Sequence, residues 1–260
     1  MKKLVAVMLL GIALLGTTSA QNLKSMGLQG KVHTLEEETW GLTLKFGEYV
    51  KNNLINKETS TYDDKGKIMK KTVHAAYIAG ILVDFKLIYI YDDKGNNTEI
   101  ASYNADGSLS KKSIYTYDDK GNNTEIASYN ADGSLFMKVI NTYDDKGNKT
   151  EAASYNAGGS LFMKVINTYD DKGNNTEMAS YNADGSLAWE YIYTYDDKGN
   201  NTEMASYNAD GSLSRKEIYT YEYDKFGNWT KKITSAEVSK FGKVYLEPQE
   251  VTIRTITYYP

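Results

Sequence analysis

Tyr117-Asp118-Asp119-Lys120-Gly121-Asn122 is one copy of the string that decides the fold. The same six residues open at Tyr91, Tyr143, Tyr169 and Tyr195, at a constant spacing of 26. Five full units therefore run from Tyr91 to Thr220. A diverged unit begins at Tyr62, and a half-unit at Tyr223 to Asn228 ends the series. The flanks, 21–61 and 229–260, match poorly, as expected of terminal segments that seal a repeat array.

Each unit carries two turn signals. Asn104-Ala105-Asp106-Gly107 and Asp118-Asp119-Lys120-Gly121 place Asn or Asp first and Gly fourth, which suits a type I turn closed by a left-handed Gly. The runs between them alternate and lack helix caps, so each unit reads as a β-hairpin. With three-residue loops, Tyr103 faces Leu109, Thr98 faces Ile114 and Ile114 faces Ile126. On that register Glu99, Glu125, Glu151, Glu177 and Glu203 face Tyr89, Tyr115, Asn141, Asn167 and Tyr193. Crossing both strands moves a residue by about 28 positions against a repeat of 26, a stagger of about one residue per strand that tilts and coils a sheet. The expected fold is all-β: tandem β-hairpin repeats forming one long, twisted and coiling antiparallel meander. Its domains are a signal peptide at 1–20, an N-terminal β cap at 21–61, hairpin repeats at 62–228 and a C-terminal β cap at 229–260.

Tyr115-Thr116-Tyr117-Asp118-Asp119-Lys120-Gly121-Asn122, repeated at Tyr193 to Asn200, resembles the Tyr-x-Tyr-Asp-x-x-Gly core of YD or RHS repeats, as in short repeat-only secreted proteins of Bacteroidetes type. The resemblance covers roughly Tyr62 to Thr230, with Asn where the family often has Arg after the Gly. In large RHS toxins such repeats wind into a hollow shell. Five units are too few for a cage, and that role is not carried over.

Met1-Lys2-Lys3, an apolar run from Leu4 to Leu15 and small residues up to Ala20 have the order of a secretory signal peptide, with Gln21 as the expected mature N-terminus. The apolar run is shorter than the roughly 20 residues that span a bilayer. The sequence has no Cys, so neither disulfides nor a lipid thioether is available. Of 30 basic residues, Lys2 and Lys3 leave with the leader, and 34 acidic ones remain. That excess of negative charge disfavours nucleic acid, which needs a basic face. Export to the periplasm or the cell exterior is the expected localisation.

The residues offer little catalytic chemistry. His33 and His74 are the only histidines, with no thiol or Ser-His-Asp pattern to join them. The repeated Glu could serve as glycosidase carboxylates, yet a group in every copy reads as scaffold. The Asp-rich loops carry oxygens for Ca²⁺, but the central Lys favours plain turn chemistry, and the Asn-Asn-Thr strings read as turn exits. Tyrosine rows read first as sheet packing. Copies differ at two mid-strand positions: Lys111, Met137, Met163, Trp189 and Arg215, and Ser113, Val139, Val165, Tyr191 and Glu217. Met137, Met163, Trp189, Tyr191 and Arg215 are the candidate binding surface. The expected role is a non-enzymatic, cofactor-free and metal-free structural or binding module that engages a protein or glycan at the cell envelope, without nucleic acid and without stable membrane insertion. An outer-membrane β-barrel is the alternative; a glycan-active enzyme comes third.

Overall fold

The computed structural model describes residue 23, residues 28–78 and residues 81–260, with no account of the side chains at 74–84. The signal-peptide reading at 1–20 lies outside the described residues. Among the described residues there are sixteen strands: β1 (Val32–Lys45), β2 (Glu48–Tyr62), β3 (Ile68–Ile78), β4 (Ile81–Tyr91), β5 (Asn97–Asn104), β6 (Leu109–Tyr117), β7 (Asn123–Asn130), β8 (Leu135–Tyr143), β9 (Lys149–Asn156), β10 (Leu161–Tyr169), β11 (Asn175–Asn182), β12 (Leu187–Tyr195), β13 (Asn201–Asn208), β14 (Leu213–Tyr223), β15 (Trp229–Lys240) and β16 (Lys243–Tyr258).

Each unit forms the expected hairpin. Gly121 N–H donates to the Asp118 carbonyl at 3.0 Å, Asp118 N–H donates to the Asn122 carbonyl at 3.0 Å, and Gly121 takes φ +84. The Asn104 turn repeats this pattern, with Gly107 at φ +85. Positive φ is what Gly supplies without steric cost.

The open meander is overturned. Each strand pairs with its neighbours in sequence, and β1 pairs β16, so the ladder is a closed antiparallel barrel. The seam runs from Val32↔Tyr258 to Gly41↔Glu250. The flanks supply β1 and β16, which satisfy each other's edges. The stagger agrees with the repeat arithmetic: Lys164 pairs Ala153 on one side and Tyr181 on the other, a displacement of 28 along the chain. With a rise of about 3.3 Å per residue and strands about 4.8 Å apart, one residue of stagger per strand tilts the strands by roughly 35°, the range of closed barrels.

The expected facing pairs are displaced by bulges. Tyr143 pairs Lys149 but Thr142 pairs Glu151, which leaves Thr150 as an extra residue. Near the other turn, Tyr129 pairs Leu135 but Ser128 pairs Met137, which leaves Phe136 extra. A bulge places two residues against one and transfers everything beyond it to the other face. Ile140 consequently faces Ala153, and Ile192 faces Ala205.

The chain divides into two compact units. In the unit that comprises Met1–Lys112, Tyr221–Lys232 and Glu250–Pro260, the core holds Val32, Leu35, Tyr62, Ile68, Tyr89 and Ile100. In the unit that comprises Ser113–Thr220 and Ile233–Gln249, it holds Tyr115, Ile126, Met137, Met163 and the serines Ser113, Ser128, Ser154 and Ser180.

Candidate functional site

The variable positions singled out by sequence lie in one row on the buried face. Met137 pairs Ser128, Trp189 pairs Ser180 and Arg215 pairs Ser206. Met137 and Met163 are core residues, 4% and 8% exposed, so they present no surface. Trp189 and Tyr191 are half-buried with rings 4.9 Å apart, and Tyr191 stacks on Tyr193 at 6.2 Å. These rings pack the face where the two methionines stand in earlier copies. Arg215 departs from the rest: it is exposed, ion-paired with Glu217, and Glu217 also accepts from the Tyr219 hydroxyl at 2.6 Å.

Arg215 lines a cavity of about 520 Å³ with Leu213, Lys216, Glu237, Val238 and Val244. Lys216 reaches Glu203 at 2.8 Å. Both cations are thus balanced, and a mixed lining of Ser214, Ser239 and these charges beside Leu213, Val238 and Val244 can hold part of a ligand. Of the five expected site residues, only Arg215 opens onto this space.

The repeated glutamates do not meet tyrosines. Glu99 pairs Ile90, Glu151 pairs Thr142 and Glu203 pairs Thr194, one residue away from the expected partners. The bulged Thr moves each Glu to the more exposed face, where four of the five meet a Lys across the hairpin, Lys112–Glu99 at 3.1 Å, Lys138–Glu125 at 3.0 Å, Lys164–Glu151 at 3.4 Å and Lys216–Glu203 at 2.8 Å, while Glu177 meets Glu190. The tyrosines have another task. The Tyr143, Tyr169 and Tyr195 hydroxyls donate to the carbonyls of Asn123, Lys149 and Asn175 in the preceding unit, at 2.8, 3.0 and 2.8 Å. Each such carbonyl sits just before a bulged Thr.

The turn aspartates are occupied by the turns themselves. Asp118 Oδ1 accepts from Lys120 N and Asn122 N, and Oδ2 accepts from Asn122 Nδ2. The Asn122 side chain, followed by its backbone N–H, holds the Asp118 carboxyl below its ordinary pKa. The His33 ring lies 4.6 Å from that of Tyr259, and the His74 side chain is outside the described residues.

Sequence reasoning missed a charged cluster at the barrel seam. Arg254 and Glu37 pair across β1 and β16, with Nε to Oε1 at 2.9 Å, and the guanidinium lies 3.4 Å from the centre of the Trp229 ring. Arg254 is 8% exposed. No local signal marks it, since its partner is 217 residues away.

No family model matches the chain, and no curated protein does. Among solved structures, a porin-like protein from Bacteroides uniformis aligns with 88% of this chain and 99% of its own, at 13% identity and a TM-score of 0.61. A porin-like protein from Bacteroides vulgatus (13% identity, 88% of this chain, 98% of that chain) reaches a TM-score of 0.35. The TcdB2-TccC3-Cdc42 complex (12% identity, 88% of this chain, 16% of that chain) reaches 0.21. At those scores neither bears on this chain, and the YD or RHS resemblance rests on the repeated strings alone. The Bacteroides uniformis likeness concerns fold, and the fold of this chain is a closed all-β barrel.

Proposed function

We propose that this chain is an exported β-barrel of the cell envelope that stands in water and binds a protein or glycan rather than catalysing a reaction. The closed ladder and the likeness to a porin-like fold support a barrel, the architecture of the outer-membrane alternative, over the open secreted module expected from the repeats. The observation that carries the water-standing part is the Lys–Glu ladder on the exposed face. An outer-membrane barrel turns an apolar band about 25 Å tall toward lipid, and each Lys at the midplane costs about 2–4 kcal/mol. Here four successive or near-successive hairpins each carry a Lys–Glu pair on that face. The buried face carries Ser, Met, Ile and Tyr side chains. The binding surface in this reading is the cavity beside Arg215. The YD-type strings are then hairpin and bulge devices.

Insertion in the outer membrane is the second reading, favoured by closure itself and by the exposed aliphatic row of Ile114, Ile166 and Ile192. Alkaline carbonate extraction of native envelopes separates the two. The water-standing barrel is released into the supernatant with an N-terminus at or near Gln21. Retention in the pellet with heat-modifiable gel migration overturns it, and intact Met1 in the cytoplasm overturns export.

A further inference from the structure

Two hairpins end in the same three residues. Lys45-Phe46-Gly47 joins β1 to β2, and Lys240-Phe241-Gly242 joins β15 to β16. Lys45 pairs Glu48, so Phe46-Gly47 is a two-residue loop, with φ of 53 and 86. Phe241 and Gly242 take φ of 53 and 72. A two-residue turn with positive φ at both central positions suits Asn or Gly, and a bulky aromatic there is strained. Among the described residues these two phenylalanines are the non-glycine residues at positive φ. The fold gains no packing from their rings, which are 107% and 101% exposed. Lys225-Phe226-Gly227 shows the contrast within one chain. Its longer loop spares Phe226 a positive φ, and the ring packs 4.6 Å from that of Tyr258.

Backbone strain that the fold does not use belongs where a residue meets something else. We propose that Phe46 and Phe241 are membrane-surface anchors, each tip seating its ring in the interface of an anionic bilayer. This goes beyond the water-standing barrel and rests on it: the barrel touches lipid by its tips without immersion. Three observations favour a bilayer over a groove on a partner protein. Each ring projects from a convex tip, open on all sides. On the first tip Lys45 stands opposite Glu48, and on the second Lys243 adds a cation beside Lys240, which Glu247 holds at 2.6 Å. Long Lys stems lie along apolar surface while the ammonium meets headgroup phosphates. Behind the rings lies a further exposed layer of Leu44 and Tyr49 on one hairpin, and of Val244, Tyr245 and Leu246 on the other. Tyrosines favour headgroup depth.

The test mixes the full mature chain with vesicles of phosphatidylethanolamine and phosphatidylglycerol, and separately with phosphatidylcholine vesicles, followed by sedimentation and a carbonate wash. F46N, F241N and the double variant are compared. Asn accepts the positive φ, so these variants should melt at the same temperature or higher, which separates lost binding from lost folding. Binding to the anionic vesicles should weaken about tenfold per tip and fall to background in the double variant. Full binding by the double variant, equal binding to phosphatidylcholine, or no binding by the unmodified chain overturns the proposal. Retention after the wash counts against the water-standing barrel alone, because the role of the tips is decided by the difference between the variants and the unmodified chain.

Discussion

At the scale of single residues, the Tyr that opens each repeat string repairs a defect made by its own fold. A bulge frees a backbone carbonyl from the ladder, and a buried carbonyl without a donor costs about 1–3 kcal/mol. The Tyr195 hydroxyl supplies that donor to Asn175 at 2.8 Å. In the unit of Tyr143 the same kind of carbonyl, that of Asn123, also accepts from Asn141 Nδ2 at 2.9 Å. Tyr195→Phe should therefore lower stability by about 1–2 kcal/mol, and Tyr143→Phe by less, about 0.5 kcal/mol, because the amide remains. Urea unfolding of both variants checks this, and equal losses would mean that the hydroxyls are not the donors that matter. The tyrosine rows were legible as packing, but their hydrogen-bond partners were not. Those partners lie one hairpin back, where the bulge sets the register.

At the scale of the hairpin, the turns were legible because Gly, Asn and Asp act within four residues of one another. The bulges were not, although a signal was present. Thr98, Thr124, Thr150, Thr176 and Thr202 recur at the bulge, and each hydroxyl donates to the carbonyl eight residues earlier, as Thr150 does to Thr142 at 3.3 Å. In the hairpins of Glu99, Glu125 and Glu203 that one Thr turned an expected Tyr–Glu contact into a Lys–Glu pair on the opposite face. The same hairpins set a dependence on pH. The Asn148 side chain and then its N–H hold the Asp144 carboxyl below its usual value, and the Ser134 hydroxyl and then its N–H do so for Asp132. A carboxyl depressed in the folded state stabilises folding above its ordinary value near 3.9, and that contribution is lost as pH falls through the folded value. The urea midpoint should be level above about pH 5 and drop between about pH 5 and 3. A level midpoint down to pH 3 would show that these carboxylates do not hold the turns.

At the scale of the whole molecule, the repeat arithmetic contained the strand tilt but not the closure. Closure depends on which end strands meet, and the residues that fasten them join the flanks to the outermost turns of the repeat array. Asn228 Nδ2 donates to the Gln29 carbonyl at 3.0 Å and to the Tyr258 hydroxyl at 2.8 Å, Tyr258 donates to Asp224 at 2.5 Å, and the Tyr259 hydroxyl reaches the Tyr62 carbonyl at 2.7 Å. The Asn228–Gln29, Tyr259–Tyr62 and Arg254–Glu37 contacts join positions about 200 residues apart in sequence. The candidate site was legible in the same proportion. Arg215 stood out as a variable position, whereas the cavity around it needs Glu237, Val238 and Val244 from strands outside the repeats.

The repeat also bears on heredity. Units this alike in sequence are ones that tandem duplication or deletion in the coding DNA adds or removes whole. Loss of one 26-residue unit, such as 143–168, removes one odd and one even strand. The ladder stays antiparallel, and every fastener between the first and last strands is untouched. A chain shortened in this way should fold cooperatively with fourteen strands, read by circular dichroism and a single urea transition, whereas removal of half a unit should leave strands that meet in the wrong direction and a chain that aggregates. The number of hairpins then becomes something a lineage can vary by copying error alone, with the girth of the barrel changing in steps of two strands while its lock stays the same.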